Sequence, residues 1–334
     1  MFGTLRLCLA LVVMYSHLGV TIAGFNPGVS AVVIFFLLAG RVSAHLLKAF
    51  GNRALAYYAE RAVRIYPAYL CVLLLAAAIW MAAPVASPFL PPPDGADWLA
   101  NLFIAPLDFR LRWNGDHSGV LFDAEEFTLI PPAWSLGLEL QFYLVAPLLM
   151  GLTADRRARV LAASLVVWVM AGMGVIDTDV WGYRLLPGVL FVFLAGMEMH
   201  DRRYGAVATV WLVGCLMYGA ILVGALAARP FNVETSLGLV VGIPLLMGCS
   251  RLPQAKFDHF LGGLSYPAFL FHFPLMWLFE SAGYKPDNAV RHFLLLCVVL
   301  CASALLYRYV DRPLQPFRRA FRNRFRPTAR VGRV

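Results

Sequence analysis

Charge is what this sequence has least of. Only 14% of its 334 residues are Asp, Glu, Lys or Arg, while 60% are hydrophobic and the mean hydropathy is +0.71. Soluble domains carry about a quarter charged residues, so no sizeable soluble domain fits this chain. Cysteine patterning is also missing. Cys8, Cys71, Cys215, Cys249, Cys297 and Cys301 all fall within apolar stretches, without CxxC spacing, which argues against a disulfide framework or a zinc site. There is no glycine-rich phosphate loop and no GxSxG nucleophile elbow. Nor does any repeat of hydropathy or motif relate the two halves, which disfavours inverted-repeat transporters.

What is present is apolar blocks separated by short polar connections. Ten can be read: 5–22, 28–47, 68–83, 133–152, 160–176, 185–200, 207–226, 236–250, 260–281 and 293–310. Blocks of that length and composition predict an all-α, polytopic membrane bundle of about ten transmembrane helices. The first could be a signal peptide, but no convincing small-residue cleavage site follows it, so it is read as an uncleaved span. With the N-terminus cytoplasmic, the inner connections and tail hold twenty Lys and Arg and the outer ones six, namely Arg110, Arg112, Arg184, Arg229, Lys285 and Arg291. That bias places both termini in the cytoplasm.

The chain divides into a bundle over 1–310 and a basic cytoplasmic tail over 311–334. Nine of the arginines lie between Arg308 and Arg333, beside the single acid Asp311, and account for nearly all of the net charge of +9. Such a tail suits anionic headgroups better than nucleic acid, because aromatic interleaving is missing. Residues 84–132 form a long extracytoplasmic loop, with Pro91 to Pro93, Trp98 and Trp113, and a short helix near 97–104. It is either a lid over an acceptor site or a plain surface loop.

Ionisable residues inside apolar blocks cost roughly 2.5 kcal/mol or more each, so they mark sites by default. Arg6 and His17 lie eleven residues apart, on one helical stripe about 16 Å long. His17 is either a functional base or a core histidine satisfied by a neighbouring helix. Arg41 and His45 share a face at the inner end of the second block, and Arg61 and Arg64 follow at i and i+3. With Arg6 they form a basic cluster suited to phosphate oxygens, although Arg61 and Arg64 also fit simple positive-inside anchoring. Glu139 lies about two turns into the fourth block. It either orients His17 as a general base or is structural, bonded to Arg41 or to a backbone amide. Trp134, Ser135 and Tyr143 flank it, and His272 offers a second intramembrane imidazole with a chemical or a structural role.

The ordered motifs resemble the acyltransferase-3 family of bacterial membrane O-acyltransferases. They are Arg6 to His17; Phe35-Phe36-x-x-x-Gly40; Arg61-x-x-Arg64-Ile65-x-Pro67-x-Tyr69; Trp134-Ser135-Leu136-x-x-Glu139-x-x-Phe142-Tyr143-x-x-x-Pro147; His272-x-Pro274; and Arg312-Pro313. The sequence departs from the family pattern at Ala39, where a serine is usual, at Arg41, and at Asp311 before Arg312-Pro313. The resemblance implies a ten-helix bundle that moves an acyl group, usually acetyl, from cytoplasmic acyl-CoA to a hydroxyl of a surface or exported glycan. It also implies that His17 is the essential histidine, that Arg6, Arg61 and Arg64 are donor-side positions, and that Glu139 is the acidic position. No esterase-like domain is expected after the bundle.

The resulting expectation has His17 and Glu139 as the catalytic pair, Arg6, Arg41, His45, Arg61 and Arg64 binding acyl-CoA, and Trp134, Ser135, Tyr143 and His272 contacting the acceptor. No metal and no nucleic acid are expected. The expected partners are the acyl-CoA donor, a glycan or small-molecule hydroxyl acceptor, the lipid bilayer of a bacterial inner membrane, and a second copy of the chain where it forms a homo-oligomer. The rival from another class is a proton-coupled transporter or flippase using the same ionisable residues.

Overall fold

The computed structural model describes residues 1–83, 85, 87–109, 127–253 and 257–325. Arg110, Arg112, Trp113, Lys256, Arg326, Arg330 and Arg333 lie outside the described residues. Among the described residues the chain is helical, without a named strand: α1 (Phe2–His17), α2 (Pro27–Ala49), α3 (Ala54–Ala82), α4 (Gly95–Phe103), α5 (Ala133–Gly151), α6 (Ala154–Gly172), α7 (Leu186–His200), α8 (Tyr204–Leu222), α9 (Asn232–Arg251), α10 (Asp258–Ser281), α11 (Ala289–Leu306) and α12 (Arg312–Phe325). Every apolar block falls on a helix. Among the described residues seven segments are long and apolar enough to cross a membrane, where the sequence suggested about ten. Of the others, α1 has only 16 residues, and α6 opens with Asp155, Arg156, Arg157 and Arg159.

The third block is longer than its apolar part. It continues back through Pro67 to Ala54, so one 29-residue helix carries Arg61 and Arg64. Pro67 has no N–H to offer the carbonyl of Val63, yet the surrounding packing sustains the helix.

The most buried candidate span is α2, flanked by α1, α5, α7 and α9. Its start is set by Asn26, whose Oδ1 accepts from Gly28 N at 2.9 Å, with Pro27 in the first turn. Apolar burial drives helix pairing weakly in lipid, so small residues matter more. A Cβ on Gly40 would overlap the Phe193 carbonyl, and one on Gly196 would overlap that of Leu37, so the α2–α7 backbones pack in direct contact.

The pairing of α1 with α10 positions the site. Asp258 accepts hydrogen bonds from Gly3 N (3.1 Å), Thr4 N (2.9 Å) and Thr4 Oγ1 (2.9 Å), capping the start of α1. His17 and His272 meet near the other ends of this parallel contact, and their sequence separation of 255 equals that of Gly3 and Asp258. One register therefore fixes both contacts.

The described part of the long connection is a packed cap. Asp94 and Asp97 close a capping box on α4. Buried Asn101 donates to the carbonyls of Asp97 and Phe127 at 2.9 Å, and Tyr69 Oη of α3 donates to the Asn101 carbonyl at 2.7 Å. Asp108 is buried against α5 and accepts from Gln141 Nε2 at 3.0 Å. Burial pushes its carboxyl up to about 8.

Candidate active site

Adjoining cavities run through the bundle along α1. The middle one, of about 130 Å³, is lined by Arg6, Arg61, Arg64, Glu139 and Tyr143 on one side and by Phe35, Ala39 and Val42 of α2 on the other. The next, of about 110 Å³, is lined by His17, Trp134, Tyr183, Arg184 and Phe231. Val32, Ser135 and Phe269 line both. A third cavity, of about 260 Å³ at the opposite end, shares Arg6 and Arg64 with the middle one. Arg6 and His17 thus line a row of cavities that share walls.

His17 is exposed at the end of α1, and its Nδ1 lies 3.0 Å from Nε2 of His272, which is 1% exposed. The rings stack at 5.2 Å with an 8° interplanar angle, and Phe273 closes on His17 at 5.0 Å. One proton bridges the two nitrogens. When His17 Nδ1–H donates it, His17 Nε2 keeps its lone pair and His272 fixes the ring, the task usually given to a carboxylate. Sequence reasoning gave that task to Glu139. The structure instead turns Glu139 to Tyr143 Oη, which donates to it, because Glu139 sits one helical turn beyond Ser135 and faces the arginines.

The basic cluster is narrower than expected at one edge and wider at another. Arg6, Arg61 and Arg64 converge, but Arg41 does not: its guanidinium lies 5.1 Å from the Phe2 ring centroid. Two residues rotate a helix by about 200°, so with Ala39 on the cavity wall Arg41 projects elsewhere. His45 meets His200 edge-on at 5.5 Å and lines a separate cavity with Arg319 and Arg322. Glu60 pairs with Arg61 and, at 2.6 Å, with Arg318 of α12, while Arg64 pairs with Asp311 at 3.0 Å. The sequence reading missed Arg318, Arg319 and Arg322 as cavity residues, although α12 alternates aromatic and basic faces that mark a docked helix.

The residues expected to meet an acceptor separate into two groups. Trp134 and Ser135 line the His17 cavity with Tyr183 and Phe231, and the Arg184 guanidinium covers Trp134 at 4.8 Å while bonding Asp179 at 2.6 Å. Tyr143 lies lower, against Glu139 and under the Arg61 guanidinium at 5.5 Å. Arg184 also went unrecognised in the sequence. Its signal was the Tyr183-Arg184 pair at the mouth of an apolar block, here the end of a π-helical turn, a feature frequent at functional sites.

An imidazole pair at one end, a guanidinium cluster at the other and adjoining cavities between them are compatible with transfer of a group from an anionic carrier to a hydroxyl. Comparison with known proteins points the same way. Residues 3–308 match the acyltransferase domain model of the acyltransferase-3 family. An uncharacterized protein of Aquifex aeolicus (strain VF5) is 31% identical over 205 residues, covering 57% of this chain and 89% of that protein. No solved structure matches the chain. With nearly its whole length aligned to that domain, the chain belongs to the acyltransferase-3 family of membrane acyltransferases.

Proposed function

We propose that this protein transfers an acetyl group from cytoplasmic acyl-CoA to a hydroxyl of a surface or exported glycan. The setting proposed is a bacterial inner membrane, with about ten spans and both termini in the cytoplasm. The observation that carries the reading is the pair of adjoining cavities, one lined by Arg6, Arg61 and Arg64 and the next by His17, with Val32, Ser135 and Phe269 common to both. A fit of donor to site supports it. Guanidiniums match the phosphates, the mostly apolar wall of Phe35, Ala39 and Val42 suits an uncharged pantetheine arm, and the thioester reaches the imidazole.

In this reading the acceptor hydroxyl enters the His17 cavity across Trp134. His17 Nε2 takes its proton as the oxygen attacks the thioester carbonyl, and His272 holds the resulting imidazolium. The carbon–sulfur bond breaks, and the leaving thiolate recovers the proton from His17, giving an ester and free CoA. Transfer through an acyl-histidine fits the same groups. Arg6, Arg61 and Arg64 face the donor, and Glu139 with Tyr143 shapes the channel beside them.

The test is single-turnover transfer of a labelled acetyl group from acetyl-CoA onto glycan by purified, reconstituted protein. Wild type transfers label and His17→Ala does not. A proton-gradient requirement without thioester cleavage favours the transporter reading instead. Mass spectrometry of glycans from cells with and without the protein identifies the acceptor.

A further inference from the structure

The basic tail does more than coat a membrane surface. α12 folds back onto α3, where Glu60 pairs with both Arg61 and Arg318. Phe317, Phe321 and Phe325 recur at i, i+4 along α12. Phe321 meets Phe50 at 6.3 Å, and the Arg53 guanidinium lies 5.9 Å from the Phe325 ring centroid. That leaves Gln315, Arg318, Arg319 and Arg322 facing the 260 Å³ cavity that Arg6 and Arg64 share with the middle of the bundle.

The charges in this cavity are incompletely balanced. Arg318 and Arg64 have carboxylates, while Arg6, Arg319 and Arg322 have no ion pair among the described residues. Asp258 is also on the wall, but its oxygens are committed to Gly3, Thr4 and the terminal amine at 3.6 Å. The Nε of Arg318 is buried without a hydrogen-bond partner. Guanidiniums facing one cleft repel each other unless a polyanion joins them.

We propose that α12 is the outer wall of the donor site, with Arg319 and Arg322 gripping a phosphate of acyl-CoA and Arg318 positioning the helix through Glu60. The assignment rests on acyl-CoA being the donor. In that molecule the pantetheine arm separates the thioester from the diphosphate, and the ribose 3′-phosphate lies farther out. With the thioester at His17, the diphosphate falls to Arg6 and Arg64 and the 3′-phosphate to Arg319 and Arg322. Those two arginines also line the adjoining cavity of about 270 Å³ with His45 and Asn323, where the nucleoside end extends.

A lipid headgroup offers the same phosphate chemistry, so the test separates the two sources. Arg319→Ala and Arg322→Ala alter exposed and half-buried side chains and leave the fold intact. Each is reconstituted in nanodiscs of zwitterionic lipid, with or without anionic phosphatidylglycerol, and assayed with acetyl-CoA and acetyl-dephospho-CoA. Binding of adenosine 3′,5′-bisphosphate is titrated in parallel. The expected result is a KM for acetyl-CoA raised about tenfold with kcat kept, bisphosphate binding weakened about as much, and KM for acetyl-dephospho-CoA within about twofold of wild type. Equal losses on both donors, no change on either, or losses that track only the anionic lipid overturn the assignment. A wild-type protein that neither binds the bisphosphate nor turns over acetyl-CoA removes the donor reading itself; wild-type turnover with unaltered variants removes only the role of α12.

Discussion

The two ends of the passage are built from opposite materials. Arg6, Arg61, Arg64, Arg318, Arg319 and Arg322 crowd one end, with Glu60 and Asp311 neutralising part of their charge. The other end has two imidazoles and a wall of Trp134, Tyr183 and Phe231, its one guanidinium, Arg184, already tied to Asp179. A cluster with surplus charge holds a polyanion through long-range attraction and bidentate hydrogen bonds. A nearly neutral, aromatic cavity with a base recognises a hydroxyl-bearing ring by contact and removes a proton. Under the proposed function the contrast assigns binding to one end and chemistry to the other, so substitutions at each end should move different kinetic constants.

The largest effect is expected at the base. His17→Ala should cut acyl transfer by about 10³-fold or more while the protein inserts and folds normally, since the residue ends its helix. Near-normal transfer by that variant would falsify the base assignment. His272→Gln comes next, with kcat down roughly 10- to 100-fold and a displaced pH–rate profile. Combined with His17→Ala it should add nothing further, because the two rings act as a unit; additive losses mean that they do not.

Substitutions that separate the ends are milder. Arg64→Ala should raise the KM for acyl-CoA about tenfold and spare that for the acceptor, while Trp134→Ala should do the reverse. If both variants shift the same constant, the segregation is wrong. Gly40→Ala belongs to neither end: its new methyl meets the Phe193 carbonyl, so about 1–3 kcal/mol of stability is lost with no selective kinetic change.

The smallest effect concerns pH and the cap. The Asp108 carboxyl rises from an ordinary value of 3.8 to about 8 on burial, so the folded protein holds a proton that the unfolded chain releases over that range. Its contribution is full below pH 4 and is lost as pH climbs toward 8. Asp108→Asn, which keeps the shape, should flatten the fall in melting temperature between pH 5 and 8. An unchanged slope rules Asp108 out as its source.

Much of this was legible because lipid imposes a simple rule on sequence. A block of apolar residues must be a helix, and an ionisable group inside it must face protein or a wet cavity. Arg6, His17 and Glu139 stood out for that reason, and all line these cavities. Arg41 stood out too but misled, since depth is legible in a block while the face a residue takes depends on which neighbours α2 packs against. The partner of His17 was not legible at all. Glu139 was the nearer guess by charge, whereas the hydrogen bond goes to a ring 255 residues away.

By itself, then, the sequence determined the helical blocks, the depth of each titratable group and the end at which positive charge gathers, because these follow from local composition and from the cost of placing charge in hydrocarbon. Only the tertiary structure decided that His17 meets His272 and that α12 closes over the arginines. Those outcomes depend on the register of parallel helices and on one carboxylate, Glu60, shared between two distant guanidiniums. Registers of that kind are set by backbone contact at small residues such as Gly3 and Gly262, where two chain segments approach more closely than any side chain allows.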